Sequence, residues 1–592
     1  MAAVSPAGYL RRDTNPTIMP SVPLARHGLV SALLLGAACR AGTSTSPSPV
    51  RGDAPYDVVI TNGRIVDGTG NAWYRGDIGI RGDRIARITL PGALAHTTAA
   101  TRIDAHEHVV SPGFIDIQAQ SVANFLIGDG RALSMVTQGI TTAILGEGDT
   151  PAPLTDAGYA ETSRDTVWAR VAATYRGARG FGHWLDAMAT HGVSQNVGSF
   201  LGTATVRRYA KNQSMGMPTP AELDTMRRVV RDAMQDGAYG IASALIYPPD
   251  NYSSTADLVE MAKAASPFGG VYITHMRSEG ARILEAVDEA ITIGREGRVP
   301  VEIYHLKVGG PRQWPKMAQV IAKIDSARAA GQDVAADMYL YVAGGNALAS
   351  CAPPKYAEGG KLVERLRDPK MRAEIRAAML TETPGVEVLC REATPAGTMV
   401  VGFTKPELKQ YEGKRLSEIA VAMGKEWIDA WIDLVIADGD NLGEILFLMS
   451  EDNIRLQLRQ PWIKFGTDAD GQDPAQATGM VHPRTYGNFP RLFGKYVRDE
   501  RILPLEDAVR KATSAVTTRL SIRDRGLIAE GMKADVIVFD AATIRDLATF
   551  EKPHQLSQGV EHVLVNGVAV IRDGKHTGAR PGVVLRGPGY QP

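Results

Sequence analysis

From Tyr56 onward the chain alternates apolar and polar residues in short runs: YDVVITNGRIVDGTG, GDIGIRGDRIARI and RIDAHEHVVSPG. Period-two alternation broken by Asn-Gly, Asp-Gly and Gly-Asp pairs predicts β-hairpins. The C-terminal region repeats the pattern in ADVIVFDAATI and EHVLVNGVAVIRDGKHTG. Each end is too small to bury a core alone, so the two are expected to pair into one small β-sandwich built from residues 55–112 and 521–592. Between them, apolar strand-like runs alternate with amphipathic helical stretches such as GARILEAVDEAITIGREG. That rhythm predicts an α/β fold with a parallel sheet, most economically a (β/α)8 TIM-like barrel over residues 113–520. From Ala343 to Arg459 the rhythm gives way to a more helical stretch containing CAPPKYAEGGKLVERLRDPKMRAEIRAAMLTE, read as an inserted subdomain over 343–459.

Composition adds two constraints. Sixty-five basic residues balance 65 acidic ones in a chain of 592, so there is no electrostatic footprint for nucleic acid. Only three cysteines occur, Cys39, Cys351 and Cys390, with no CxxC pair to hold a zinc ribbon. Ahead of the alternating region, Arg11, Arg12 and Arg26 precede an apolar run from Leu29 to Ala38. The run is too short to span a bilayer and suits a signal segment over 1–39. Gly36-Ala37-Ala38-Cys39 resembles a bacterial lipobox with Gly at the usual Leu position, and a flexible tether follows over 40–54. The expectation is an exported protein, periplasmic or lipid-anchored through Cys39; if the segment is not a signal, the protein is cytoplasmic.

A barrel places its chemistry where strands end at the C-terminal face. Polar residues that directly follow apolar runs are therefore the site candidates: Asp116, Gln118 and Gln120 after GFI; Glu147 with Asp149 after TTAIL; His275 and Arg277 after GVYIT; His305 and Lys307 after VEIY; Asp468 and Asp470 after WIKF. His275 and His305 lie on consecutive strands joined by one helix, so both imidazoles project from the same rim. Two imidazoles and a carboxylate, with an open position left, form a catalytic zinc set. Glu147 is the candidate third ligand. His106-Glu107-His108 also spells HxH, but it precedes the barrel and is read as part of a surface strand pair. No GxSxG elbow is present for a serine hydrolase. In an exported protein Cys351 and Cys390 are a candidate disulfide.

The stretches VVITNGRIVDGTG, PGFIDI, TQGITTAILGEG, SALIYPP, ITHMRSEG, HLKVGG, HPRTYGNFPR, ADVIVFD and VLVNG together resemble the amidohydrolase superfamily, in particular its D-aminoacylase (N-acyl-D-amino-acid deacylase) group. The resemblance covers nearly everything after residue 55. It implies a barrel flanked by a β-sandwich from both termini, and hydrolysis of an amide next to a D-amino acid. Two departures stand out. The group's HxH after the first barrel strand is Gln118 and Gln120 here, and Glu147 stands at the place of a loop cysteine. In the group the tightly held zinc rests on the loop residue and the two later histidines, while HxH serves a weaker second site. The resemblance therefore implies one divalent metal, zinc, on Glu147, His275 and His305. The absence of a lysine near ALIYPPD, where other superfamily members carry a bridging carboxylated lysine, also favours one metal.

A divalent metal would supply a nucleophile at neutral pH and polarise the scissile carbonyl. Asp468, which follows the apolar run directly and is preferred over Asp470, would act as general base. By the resemblance, the substrate's α-carboxylate meets Lys307 and Arg484, with Tyr247 beside them. Arginine binds a carboxylate bidentately and lysine adds a point charge. Arg277 and Glu279 are expected either to pair behind the site or to read the substrate side chain, and Tyr339 to line the pocket. The alternatives are a hydrolase of the same fold acting on a cyclic amide, imide or lactone, or a catalytically inactive ligand-binding envelope protein.

Overall fold

The computed structural model describes residues 55–212, 214–383, 387–439 and 442–592. The expected signal segment, the tether and Cys39 lie outside the described residues. Eight strands among the described residues form the barrel: β1 (Phe114–Asp116), β2 (Ile140–Leu145), β3 (Asn196–Ser199, continued by Leu201–Gly202), β4 (Gly240–Ala244), β5 (Val271–His275), β6 (Val301–Ile303), β7 (Val334–Met338) and β8 (Ile463–Phe465). Neighbours pair in parallel from β1 to β8. A parallel bridge from Ala119 to Ala469, just past β1 and β8, closes the ring.

These strands carry little polar–apolar alternation because both faces are covered. The pattern for β2, ITTAIL, is buried at every position, as it is for VYITH in β5. Helices cover the outer face, as expected for parallel strands. The helix Ile283–Gly297, between β5 and β6, turns Ile283, Ala286, Val287, Ala290 and Ile293 inward at helical spacing.

The two β-rich ends do pair. Val109–Pro112 runs parallel to Tyr56–Ile65 on one side and antiparallel to Val536–Phe539 on the other. This joins the two β-rich regions in one nine-stranded sheet. Period two divides its faces: Val536 and Val538 enter a core shared with Ile60, Ile78, Ile85 and Leu564, whereas Ile537 and Phe539 pack into the main core with the barrel. The expected small β-domain is thus built on this nine-stranded sheet, with both β-rich regions supplying its core.

The stretch after β7 leaves the barrel as expected. Gly344–Ala347, Thr398–Val401 and Gly443–Leu446 form a separate antiparallel sheet. Leu348, Leu366, Ile375, Trp431 and Val435 give the insertion its own core. Cys351 and Cys390 are joined as a disulfide, with Cα atoms 5.4 Å apart.

Candidate active site

The residues that follow the barrel strands converge on a cavity of about 480 Å³ at the C-terminal rim. Its lining includes Glu147, Tyr247, His275, His305, Lys307, Asp468 and Arg484. The local backbone explains how they reach it. Glu147 stands between Gly146 (φ 109°) and Gly148 (φ 63°). A Cβ at Gly146 would lie 2.3 Å from the Phe200 carbonyl oxygen, and one at Gly148 would lie 2.4 Å from Ala244 Cβ. Only glycine suits such a close left-handed turn. His305 (φ 34°) and Asp468 (φ 48°) adopt the left-handed region without being glycine. That conformation costs of order 1–3 kcal/mol and concentrates at functional sites. Here it is held by backbone bonds: His305 N–H donates to Asp337 Oδ1 (2.9 Å), and Asp468 N–H donates to the Gln118 carbonyl (2.8 Å).

Glu147 is the hub. Its Oε1 lies 3.2 Å from His275 Nδ1 and 3.0 Å from His305 Nε2. One donor atom from each of the three residues falls within 4.8 Å of the others. Despite burial, His305 and His275 hold the Glu147 carboxyl well below its usual range. Burial and Lys307 oppose a proton on His305, but Glu147 and Glu279 outweigh them and push it up to about 10. A cation bound in this position takes the place of that proton. Two ring nitrogens and one carboxylate oxygen, aimed at each other in a cavity, are the donor set of a catalytic zinc site, so the residues present fit a divalent metal.

Glu279 stands behind the histidines. Its Oε1 is 3.1 Å from His305 Nδ1, and its Oε2 is 3.8 Å from His275 Nε2. Lys307 Nζ donates to the same Glu279 carboxylate at 2.6 Å. A carboxylate on the far nitrogen of a ligating histidine fixes the ring and raises its basicity. Arg277 does not join this group, which corrects the expected Arg277–Glu279 pair and the assignment of Arg277 to the substrate. Its guanidinium binds Glu289 at 2.9 Å and the carbonyls of Asn251 and Ser253 at 3.0 and 2.8 Å. The reason is that β5 ends at His275. Beyond it the two-residue alternation no longer applies, and Arg277 turns back to fasten the loop after β4.

On the opposite wall, Arg484 Nη1 lies 2.8 Å from Asp468 Oδ2, and its guanidinium stacks 4.4 Å from the centre of the Tyr339 ring. Burial pushes the Asp468 carboxyl up, with Arg484 opposing and Glu147 adding to the rise. Arg484 Nε and Tyr339 Oη are buried without a hydrogen-bond partner. Such orphans are rare in a finished core and mark groups aimed at a ligand. Asp470 lines the cavity at an exposed position.

Two contributors were not legible in sequence. Asn346, from the insertion, donates to Tyr247 Oη at 3.1 Å. His482 accepts the Arg484 backbone N–H at Nδ1 (3.0 Å), and its Nε2–H therefore donates to the Ala343 carbonyl (2.9 Å). The only available signal for His482 was its place in HPRTYGNFPR, two residues before Arg484. The HxH decoy stays in the β-sheet domain, where His108 pairs with Glu561 at 2.9 Å. Cys351, Cys390 and Glu444 also cluster, but the two sulfurs are bonded to each other.

A profile of the amidohydrolase family matches residues 409–571. The D-aminoacylase of Alcaligenes xylosoxydans xylosoxydans is 33% identical over 532 residues, spanning 90% of this chain and 98% of the relative. The chain belongs to the amidohydrolase family, in its D-aminoacylase group. Metal-dependent hydrolysis of C–N amide bonds goes with that membership. Among solved structures, N-acyl-D-glutamate deacylase from Bordetella bronchiseptica, complexed with zinc and a phosphonate mimic of the tetrahedral intermediate, superposes with a TM-score of 0.74 at 29% identity. The match covers 90% of this chain and all of that one. A D-aminoacylase structure described by its binuclear metal centre, with one-metal activation and second-metal attenuation, also has a TM-score of 0.74. It is 32% identical and covers 90% of this chain and all of that one.

Proposed function

We propose that this chain hydrolyses the amide bond of N-acyl-D-amino acids, using one zinc ion held by Glu147, His275 and His305. The observation that carries this reading is the convergence of those three donors in a cavity whose other wall holds a carboxylate and an arginine, Asp468 and Arg484. The relatives support the substrate class. Besides the D-aminoacylase, they include an N-acyl-D-glutamate deacylase and an N-acyl-D-aspartate deacylase from the same organism, 32% and 30% identical.

Zinc in this set would polarise the scissile carbonyl and supply a nucleophile at neutral pH. The protein's own residues do the rest. Asp468 takes a proton from the attacking water on its carboxylate and returns it to the departing amine. Arg484, whose Nε is unused by hydrogen bonds, receives the substrate's α-carboxylate, and Lys307 adds positive charge beside it. Tyr247, steadied by Asn346, borders the same space. Ile246, Leu389, Leu446 and Leu448 give the cavity an apolar wall suited to an uncharged side chain.

The test is a panel of N-acyl-D- and N-acyl-L-amino acids, with apolar and acidic side chains, assayed for release of a free α-amine by the zinc-loaded enzyme. Amine release from the D series, fastest with apolar side chains, is the expected outcome. Turnover of cyclic imides or lactones with no amine from acylated amino acids would overturn it.

A further inference from the structure

Two side chains against Glu147, one of them lining the cavity, are not used by the proposed reaction. Gln118 Nε2 lies 2.6 Å and Gln120 Nε2 lies 2.7 Å from the same oxygen, Glu147 Oε2. Gln120 Nε2 also reaches Asp468 Oδ1 at 3.3 Å. We infer that Gln118 and Gln120 are positioning residues that occupy, with two amide donors, the side of Glu147 where a second cation would bind, and so hold the site to one metal.

Acceptor chemistry fixes the orientation of the amides. An ionised carboxylate can only accept, so each glutamine must turn its NH₂ group toward Glu147. The consequence is a divided carboxylate: Oε1 faces the two imidazoles, and Oε2 is taken by two N–H donors. A carboxylate in that state has no oxygen free to bridge to a second ion. The donors are also built in rather than loosely placed. Gln118 N–H donates to Asp116 Oδ1 at 3.1 Å, its carbonyl accepts from Asp468 N–H, and Gln120 N–H donates to the Ala469 carbonyl at 3.1 Å. Both glutamines thus lie on the seam that closes the barrel. A Cβ on Gly466 would come within 2.6 Å of Gln118 Cβ, so the backbone just past the last strand packs directly on this residue.

Gln120 does one thing more. Glu147 and Asp468 are two carboxylates on either side of Gln120, whose Nε2 reaches both. A neutral donor shared between them orders the metal ligand and the general base without adding the charge of an ion. The D-aminoacylase described above as having second-metal attenuation carries a binuclear centre. In this chain the corresponding expectation is activity that excess zinc does not attenuate.

This inference rests on the single-zinc reading, and the experiment separates the two. Zinc per chain is measured by elemental mass spectrometry after equilibration with limiting and excess zinc. Affinity is measured by competition with a chromophoric chelator. The proteins are the full wild-type chain, Gln118→His/Gln120→His, and the near-isosteric Gln118→Met and Gln120→Met. Wild type is expected to saturate at one zinc with a rate that stays flat in excess zinc. The double histidine variant is expected to take up a second zinc and to lose rate in excess metal. Each methionine variant, which keeps the length but removes the donor, should bind zinc about 10–100-fold more weakly, the usual cost of losing a partner behind a ligand. Gln120→Met should also lower kcat more than Gln118→Met, at unchanged KM, because of the two amides only that of Gln120 reaches the Asp468 carboxylate. Methionine variants with unaltered zinc affinity and kcat would overturn the positioning role alone; two zinc ions in wild type would overturn the positioning role and the one-zinc count, and leave amide hydrolysis standing. No zinc uptake by wild type would overturn both.

Discussion

The two ends of the barrel carry similar buried charges and use them differently. Toward the N-terminal end, Glu302 of β6 accepts from Lys464 of β8 at 2.8 and 2.9 Å and from Arg519 Nε at 2.8 Å. Arg519 then forks onto both oxygens of Asp333 at 2.8 Å. Among the described residues, neither Glu302, Lys464 nor Arg519 leaves a buried polar atom unpartnered. At the C-terminal rim, Glu147, Glu279, His275, His305, Lys307 and Arg484 are almost as deeply buried, yet Arg484 Nε and the neighbouring Tyr339 hydroxyl are left without a partner. A closed set of charges balances its own desolvation and serves the fold. An open set leaves part of its field unspent, available to a metal and to a substrate carboxylate. Conserving one kind of charge pair at both ends would therefore protect different things: stability below and chemistry above.

This contrast can be broken at several points. The largest effect is expected at His275→Ala, which removes a ring from the open set: zinc content falls to background, and amine release falls with it. Retained zinc and turnover would remove this histidine from the site. Next, Asp468→Asn should keep zinc but lower kcat by about 10²–10⁴-fold, the usual contribution of a general base; a purely structural aspartate would instead change the melting temperature and spare kcat. The closed end should answer in the opposite currency. Lys464→Met leaves Glu302 with one partner and is expected to cost about 3–5 kcal/mol of stability in denaturant titration, with kcat per folded molecule unchanged. A large kcat loss there would erase the distinction between the two ends. The smallest effect is expected at Arg484→Lys, which keeps the charge but loses the forked geometry: KM should rise by about 10-fold, near the 1.4 kcal/mol that such a change in hydrogen bonding represents. Steady-state kinetics on the best acyl-D-amino acid would read it.

Much of the site could be read before any coordinates. Glu147, His275, His305 and Asp468 were accessible because a parallel barrel brings every strand end to one rim, so a polar residue closing an apolar run already has an address. The rule fails one step beyond the strand. Arg277 shares the parity of His275 but belongs to a turn, and it serves Glu289 and two carbonyls of the preceding loop. Glu279, four residues past His275, returns to the histidines for the same reason: the loop, and no longer the strand, sets its direction. Gln118 and Gln120 were visible as a departure from HxH and suggested a loss. That their amides bond Glu147 depends on β2 lying beside β1, a tertiary fact.

By itself the sequence determined the order of strands and helices, the pairing of the two β-rich ends, the place of the insertion and the residues offered to the rim. Each follows from local periodicity or from the need of a half-buried strand to find a partner. Only the tertiary structure decided how those residues divide their hydrogen bonds. Which oxygen of Glu147 faces histidine and which faces glutamine, that Lys307 is tied to Glu279, that Asn346 of the insertion steadies Tyr247, and that Cys351 meets Cys390 all depend on side chains brought together from distant segments. Their partners are chosen by distance and by the count of donors and acceptors in a space closed to water, and a linear pattern holds no record of either.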